Sequence, residues 1–97
     1  MINIIKFKDW NCIVTLTKYR DGNKALVLTD IEDGLPIANA SVNLPDHNIP
    51  KGYIAIKNYS ENEGILSTLV KAGIVDFPTS YVKNGFVEIP VCKLNIE

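Results

Sequence analysis

The chain has few of the residues that carry most metal and redox chemistry, with two cysteines and one histidine among 97 residues. A structural zinc site takes four nitrogen or sulfur ligands, whereas Cys12, His47 and Cys92 supply three that lie far apart in sequence. Both cysteines stand in apolar stretches, where a free thiol behaves as a small buried hydrophobe. We therefore expect no metal, no cofactor and no disulfide.

Long apolar runs and glycine-rich phosphate motifs are also lacking. No stretch approaches the roughly 20 apolar residues of a membrane span, and the N-terminal apolar run is too short for a signal peptide. Neither a Walker-type nor a dinucleotide-binding glycine pattern occurs. These absences predict a soluble, cytoplasmic protein that contacts no membrane.

Charge of either sign is nearly balanced, at a net charge of −1, but it is unevenly distributed. The first 24 residues carry five basic side chains, namely Lys6, Lys8, Lys18, Arg20 and Lys24. With Trp10 and Tyr19 as stacking platforms, this hairpin offers an alternative function in nucleic-acid binding. Residues 25–50 carry four acidic side chains and no lysine or arginine, and this acidic segment disfavours that alternative.

What the sequence does contain is a series of short strand patterns separated by turn signals. Strands are predicted at 2–7, 12–19, 24–29, 37–44 and 53–57, with a final hairpin around Asn84-Gly85. In the strand 37–44, Ala38, Ala40, Val42 and Leu44 are predicted to face inward, and Asn39, Ser41 and Asn43 to face outward.

Two further strand features concern a turn and a proline. The segment "KDWN" at 8–11 is predicted to be a turn between the first two strands. Pro90 interrupts the last strand, and it predicts an edge position or a bulge because proline cannot donate to the hydrogen-bond ladder.

Helical periodicity occurs once, over residues 61–72, where Ile65, Leu66, Leu69 and Val70 form one apolar stripe. A single amphipathic helix needs an apolar face to cover. We therefore predict one α+β domain spanning 1–97. It is a twisted, mainly antiparallel sheet of about seven strands with one helix, and barrel-like closure remains an open alternative.

The ends of this helix carry capping signals. Ser60 as N-cap and Glu63 at N3 predict a capping box. Gly73 at C′ and Ile74 at C″, packed against Leu69, predict a Schellman motif. Glu61 and Glu63 also place two carboxylates at the helix start, which disfavours a phosphate ligand there.

Capping does not account for Asn62 and Gly64. Asn62 is predicted to face outward, and Gly64 inside a helix costs about 1 kcal/mol relative to alanine. A glycine at this position indicates close approach by another backbone, an aromatic ring or a ligand. Two interpretations stay open, namely packing of the sheet on the first turn and a surface that faces a partner.

The candidate interaction surface gathers these positions with their polar and aromatic neighbours. Trp10 lies in a polar turn, so it is either an exposed anchor for a partner or part of the core. The residues assigned to this surface are Trp10, His47, Tyr59, Asn62, Glu63 and Gly64.

The segment "IKNYSENEGILSTLVKAGIV", together with "ALVLTDIEDGLPIANASVNLP" and "FVEIPVCKL", resembles a family of small uncharacterised proteins of phages and mobile elements in Gram-positive bacteria. The similarity covers roughly residues 24–94, and "ENEG" is its most specific part. The family supplies no catalytic residues. The resemblance implies a cytoplasmic protein that binds and inhibits a host protein or sequesters a signal molecule, as counter-defence inhibitors do.

Enzymes usually combine a nucleophile or base with an orienting partner. Here the adjacent pair Asp46-His47 is the only candidate, so we predict that the protein is not an enzyme but a non-catalytic binding protein. Strand-rich domains of this size expose sheet edges that pairing would cover, so the expected partner is a host protein or, through self-association as a dimer, a second copy of the chain.

Overall fold

The structure, a computed structural model, describes residues 3–45, 47 and 49–96. Most predicted strands recur with small changes at their ends, whereas the predicted strand 37–44 is a strand only over Pro36–Asn39. The elements in chain order are β1 (Asn3–Phe7), β2 (Trp10–Lys18), β3 (Lys24–Asp30), β4 (Pro36–Asn39), β5 (Tyr53–Ala55), a 3-10 turn (Ser60–Asn62), α1 (Ile65–Lys71), β6 (Ser80–Asn84) and β7 (Val87–Lys93).

The strands form two antiparallel sheets. One sheet has four strands in the order β1-β2-β3-β4, and the other has three in the order β5-β7-β6. The prediction of an α+β fold with mainly antiparallel strands is confirmed. The prediction of one sheet of about seven strands is wrong, and neither sheet closes into a barrel.

The division arises within the predicted strand 37–44. Ala40 N still donates to Leu26 O, but Ser41 bridges to Ile56 and Val42 N donates to Ala55 O. The chain therefore leaves the four-stranded sheet after β4 and runs beside the start of the other sheet.

Ser41 is buried at this crossover, although the alternation predicted it to face outward. Its Oγ accepts a hydrogen bond from Leu26 N at 2.9 Å and lies 2.8 Å from the Tyr19 hydroxyl. It donates in turn to Asn39 Oδ1 at 3.1 Å. The serine hydroxyl thus replaces the backbone acceptor that β4 no longer supplies, which is why a polar residue is buried there.

The main core lies between the four-stranded sheet, α1 and one face of the three-stranded sheet. A smaller cluster formed by Leu44, Ala55 and Ile89 covers the other face of the three-stranded sheet. The buried members of the main core are Ile5, Phe7, Cys12, Val14, Leu26, Leu28, Ala40, Ile54, Ile56, Ile65, Leu69, Ile74, Val75 and Cys92.

Pro90 lies in β7, which is the central strand of its sheet, so the predicted edge position is wrong. Its carbonyl accepts a hydrogen bond from Ile56 N at 2.9 Å. The proline has no N–H to return a bond in that direction. The pairing of β5 with β7 accordingly ends at Ala55 and Val91, one residue earlier.

The first hairpin turn is shorter than predicted, whereas the end of the helix has the predicted form. The first hairpin turns at Lys8 and Asp9 alone, because Trp10 already pairs with Phe7 as the first residue of β2. The helix end confirms the Schellman motif, since Gly73 N donates to Val70 O and Ile74 N donates to Leu69 O. Leu69 and Ile74 are both part of the main core.

Candidate functional site

The segment that precedes α1 does not form the predicted capping box. Ser60 has φ of 55° and begins the 3-10 turn, and its carbonyl accepts a hydrogen bond from Glu63 N. Gly64, with φ of 93°, is the residue that precedes the first turn of α1. The helix therefore starts four residues later than predicted, and Ser60 is too far from it to cap it.

Asn58 caps the helix instead. Its Oδ1 accepts a hydrogen bond from Leu66 N at 3.0 Å, which satisfies one of the amides that the first turn of a helix leaves unpaired. The acceptor comes from eight residues earlier in the chain. A sequence pattern for local capping has no means of finding it.

Asn62 is buried, with 1 % of its surface exposed, so the prediction that it faces outward is wrong. Its Nδ2 donates to the carbonyl of Asn39 at 2.7 Å. The prediction assumed α-helical spacing from residue 61, whereas a 3-10 turn directs this side chain toward the end of β4. Asn62 is thus a structural link between the 3-10 turn and the four-stranded sheet.

Gly64 is exposed, and a Cβ added to it would meet no atom within 4 Å. The close approach of another group, which its position in the sequence indicated, is therefore not the reason for a glycine. Its positive φ is the reason, because L-residues are strained in that region. The exposed backbone of Gly64 contributes to the wall of a groove.

This groove has a volume of about 310 Å³ and runs along the outer side of α1. Leu66 and Val70 are half-buried, and they pack against the main core while they also line the groove. Phe77, which follows the helix, is 76 % exposed and lines it as well. The remaining lining residues are Asn58, Gly64, Ser67 and Lys71.

The charges around the groove differ in whether they are paired. Lys57 Nζ lies 2.6 Å from Glu61 Oε1, and this hydrogen bond lowers the pKa of the Glu61 carboxyl. Lys8 Nζ donates to the carbonyl of Glu61 at 2.7 Å. Lys71 lies at the groove itself and forms no ion pair among the described residues. The groove therefore combines an apolar floor with one positive charge at its rim.

Tyr59, Glu63 and His47 lie outside the groove lining. Tyr59 is half-buried against the smaller cluster, and Lys57 Nζ lies 5.7 Å from the centre of its ring. Glu63 and His47 are both exposed. Asp46, the proposed acid–base neighbour of His47, lies outside the described residues.

Trp10 lies in a different depression, of about 80 Å³. The side chain is 44 % exposed, so it is not part of the core. Its neighbours in this depression are Asp9, Asn11, Asp30, Ile31 and Glu32. Of the six residues assigned from the sequence, only Gly64 lines the groove beside α1, and the structure does not bring the six together.

The residues of the predicted nucleic-acid surface are also separated. Lys18 and Trp10 stand at opposite ends of β2, roughly 26 Å apart at about 3.3 Å per residue. The hydroxyl of Tyr19 forms a hydrogen bond with Ser41, and Trp10 shares its depression with the carboxylates of Asp9, Asp30 and Glu32. Lys6, Lys8 and Trp10 lie at one end of the first hairpin, whereas Lys18, Tyr19, Arg20 and Lys24 lie at the other end of β2, so the two proposed stacking residues do not share one basic surface.

Both thiols are buried, as predicted, and both are free. Burial raises the pKa of Cys12, and burial together with the charge of Asp76 raises the pKa of Cys92 to about 11. Protonated, enclosed thiols are poor nucleophiles. Within the described ranges no group of three His, Cys, Asp or Glu side chains is placed to hold a metal ion, and no helix is long and apolar enough to cross a membrane.

Sequence reasoning missed Phe77 and the outer sides of Leu66 and Val70. The available signal was an aromatic residue in the polar segment "DFPTS", directly after a helix. A second signal was the width of the apolar stripe on the helix, because Ile65 and Leu69 are buried but Leu66 and Val70 are only half-buried. Comparison with known proteins adds nothing to this picture, since no family model, curated protein or solved structure matches the chain.

Proposed function

We propose that this chain is a non-catalytic protein-binding module that uses the groove beside α1 to hold an apolar side chain of another protein. The observation that carries the proposal is the exposure of Phe77 beside Leu66 and Val70. Apolar residues of this size are ordinarily buried, and an exposed group of them on a small protein marks an interaction surface.

The charge at the groove defines the chemistry of the partner further. Lys71 lies at the rim, so the favoured ligand is an apolar side chain flanked by an acidic residue. Burial of Phe77 and of the partner's anchor supplies the affinity, and the pairing with Lys71 supplies orientation. An anchor of this kind accounts for most of the energy in small interfaces.

The resemblance to phage and mobile-element proteins supports a host protein of a Gram-positive bacterium as the partner. In that setting the protein acts in the cytoplasm as an inhibitor of a host function, such as a defence protein. The engagement of an exposed anchor requires no cofactor and no catalytic group.

The test is selection of a random-peptide library on the wild-type protein, followed by affinity measurement. Enriched peptides should share a large apolar residue next to Asp or Glu. Ser67→Trp, which fills the groove from an exposed helix position, should weaken their binding at least tenfold, and Lys71→Glu should weaken it less.

The matched control is Thr15→Trp, which adds the same side chain at an exposed position in β2. This variant should bind the selected peptides as the wild type does. Host proteins captured from a bacterial lysate by the wild type should likewise be lost with Ser67→Trp and kept with Thr15→Trp. Equal binding by Ser67→Trp and the wild type would contradict the proposal.

A further inference from the structure

The edge strand β6 and the segments directly before and after it contain three of the strongly exposed aromatic residues. Among the described residues β6 pairs only with β7, so its outer edge is free. Phe77, Tyr81 and Phe86 are all strongly exposed, and they fall within ten residues of sequence that include this strand. A free edge with exposed aromatic side chains is a site at which another strand can add to a sheet.

The direction of the free backbone groups follows from β7. Pro90 O accepts from Ile56 N, so the polar backbone groups of Pro90 point toward β5. Along an antiparallel strand these groups alternate between the two neighbours. The groups of Ile89 therefore point toward β6.

Ile89 pairs with Val82 in β6, and Val82 in turn directs its N–H and C=O toward β7. By the same alternation, Tyr81 and Lys83 direct theirs away from the sheet. Each chain thus presents two N–H and two C=O groups along this edge.

These groups are complementary to a second copy of themselves. If two β6 strands run antiparallel with Val82 on the two-fold axis, Tyr81 of one copy stands opposite Lys83 of the other. Both Tyr81–Lys83 pairs are then hydrogen-bonded pairs, and all eight outward backbone groups are satisfied in four hydrogen bonds. Tyr81 also faces Lys83 across the strands, which permits a cation–π contact in each pair.

The hairpin turn that follows β6 contains Phe86, which is fully exposed in the single chain. In an antiparallel β6 pair this turn of each copy lies beside the start of β6 of the other copy, so dimer formation places Phe86 next to the second chain. Backbone direction and the Tyr81–Lys83 pairing agree in this register.

We infer that the protein forms a homodimer through antiparallel pairing of β6 with β6 of a second copy. The dimer joins the two three-stranded sheets into one continuous sheet of six strands. This inference goes beyond the proposed function, because the pairing depends on the edge of β6 and not on the groove beside α1.

The first test is sedimentation equilibrium of the full chain over a range of concentrations. The wild type should show twice the chain mass of 10.8 kDa. Lys83→Pro removes an outward N–H without removing a hydrogen bond within the sheet, since an edge strand tolerates proline in this orientation. It should raise the dimer dissociation constant at least tenfold.

Lys6→Pro is the matched control, because it makes the same replacement at an exposed position of β1, the edge strand of the other sheet. It should leave the dimer intact. A monomeric wild type at every concentration, or equal dissociation by both proline variants, would overturn the inference. Lys83→Pro should also keep the peptide binding of the groove, and Ser67→Trp should remain dimeric, so the two proposals fail independently.

A second test fixes the register without proline. Val82→Cys places two thiols opposite each other on the two-fold axis, at a separation that a disulfide spans. Under mild oxidation this variant should form a covalent dimer, because its native cysteines are buried. Tyr81→Cys, whose opposite residue is Lys83, should crosslink at least tenfold more slowly. Equal crosslinking by the two variants would exclude this register.

Discussion

Backbone conformation determines which residues are tolerated at the start of α1. Gly64 has φ of 93° and Ser60 has φ of 55°, and both values lie in the left-handed region. Glycine adopts this region freely, whereas an L-residue with a Cβ is strained there by roughly 1–2 kcal/mol. Replacement of Gly64 by a residue with a Cβ is therefore expected to destabilise the protein, whereas replacement of Ser60 by glycine is not.

Gly64→Ala should lower the free energy of unfolding by about 1 kcal/mol, although a Cβ at this position meets no atom. Gly64→Asn should cost less, because asparagine tolerates positive φ. Urea denaturation of the two variants measures the difference. An alanine variant as stable as the wild type would show that the positive φ is not maintained in solution.

Ser60 gives the opposite expectation. Ser60→Gly should be neutral or should stabilise the fold by up to about 1 kcal/mol, because it relieves the strain at φ of 55°. A serine that capped the helix would instead lose stability when replaced by alanine, by roughly 0.5–2 kcal/mol. Thermal unfolding of Ser60→Gly and Ser60→Ala distinguishes the two descriptions. If Ser60→Ala lowered the free energy of unfolding by as much as the loss of a helix cap does, Ser60 would be a capping residue after all.

At the scale of elements, two hydrogen bonds between asparagine side chains and backbone groups fix the segment that leads from β5 into α1. Asn62 Nδ2 donates to Asn39 O, and Asn58 Oδ1 accepts from Leu66 N. The first bond joins the 3-10 turn to the end of β4, and the second joins the loop before that turn to the first turn of α1. Together they hold the segment that leads into α1 against the four-stranded sheet.

Asn62→Ala should lower the free energy of unfolding by roughly 1–3 kcal/mol, because it leaves the Asn39 carbonyl without this donor and opens space at a buried position. Glu63→Ala is the matched control, since Glu63 is exposed one residue away, and it should change stability by less than about 0.5 kcal/mol. Guanidinium denaturation measures both. Similar losses in the two variants would contradict the assignment of Asn62 as a structural link.

The same elements show what the sequence could and could not predict. Strand alternation, the turns and the Schellman end of α1 are local patterns, and they located most strands and the end of the helix. The division into two sheets depends on the Ser41 hydroxyl replacing a backbone acceptor, which is a tertiary contact. The burial of Asn62 likewise depends on Asn39, 23 residues away, and no local periodicity encodes that distance.

The candidate site was predictable to a smaller extent than the fold. Sequence reasoning drew attention to the segment before α1 because Gly64 did not fit a regular helix, and Gly64 does line the groove. Leu66 and Val70 were predicted as part of the apolar stripe, since periodicity shows that a stripe is apolar but not how much of it a small sheet covers, and Phe77 was not assigned to any site. Trp10 was chosen as an aromatic residue in a polar turn and His47 as the only histidine, and neither lines the groove.

At the scale of the whole molecule, the two sheets share one core, and Cys92 lies inside it from the three-stranded side. Burial of the thiol, together with the nearby charge of Asp76, raises the pKa of Cys92 from 9.0 to about 11. The native state therefore holds this proton more tightly than the unfolded state does. Because the thiol is buried in the core that both sheets share, unfolding of that core exposes it and returns its pKa to the ordinary value. The protonation of Cys92 is therefore coupled to the stability of the fold.

The expected consequence is a loss of stability at alkaline pH. Between about pH 9 and pH 11 the unfolded thiol is deprotonated while the native thiol keeps its proton, so the free energy of unfolding falls as pH rises. This group contributes on the order of 2 kcal/mol to that fall. Below pH 9 the thiol is protonated in both states and contributes no slope.

Cys92→Ala removes this contribution, and its stability, measured relative to its own value at pH 8, should fall less steeply over that interval. Urea denaturation at several pH values gives both curves, and the Cys12 thiol, whose pKa burial also raises, is present in both proteins. Parallel curves for the wild type and Cys92→Ala would mean that the thiol is as accessible in the native state as in the unfolded one. A steeper fall in the wild type, confined to pH 9–11, identifies Cys92 as a buried protonated group of the core that both sheets share.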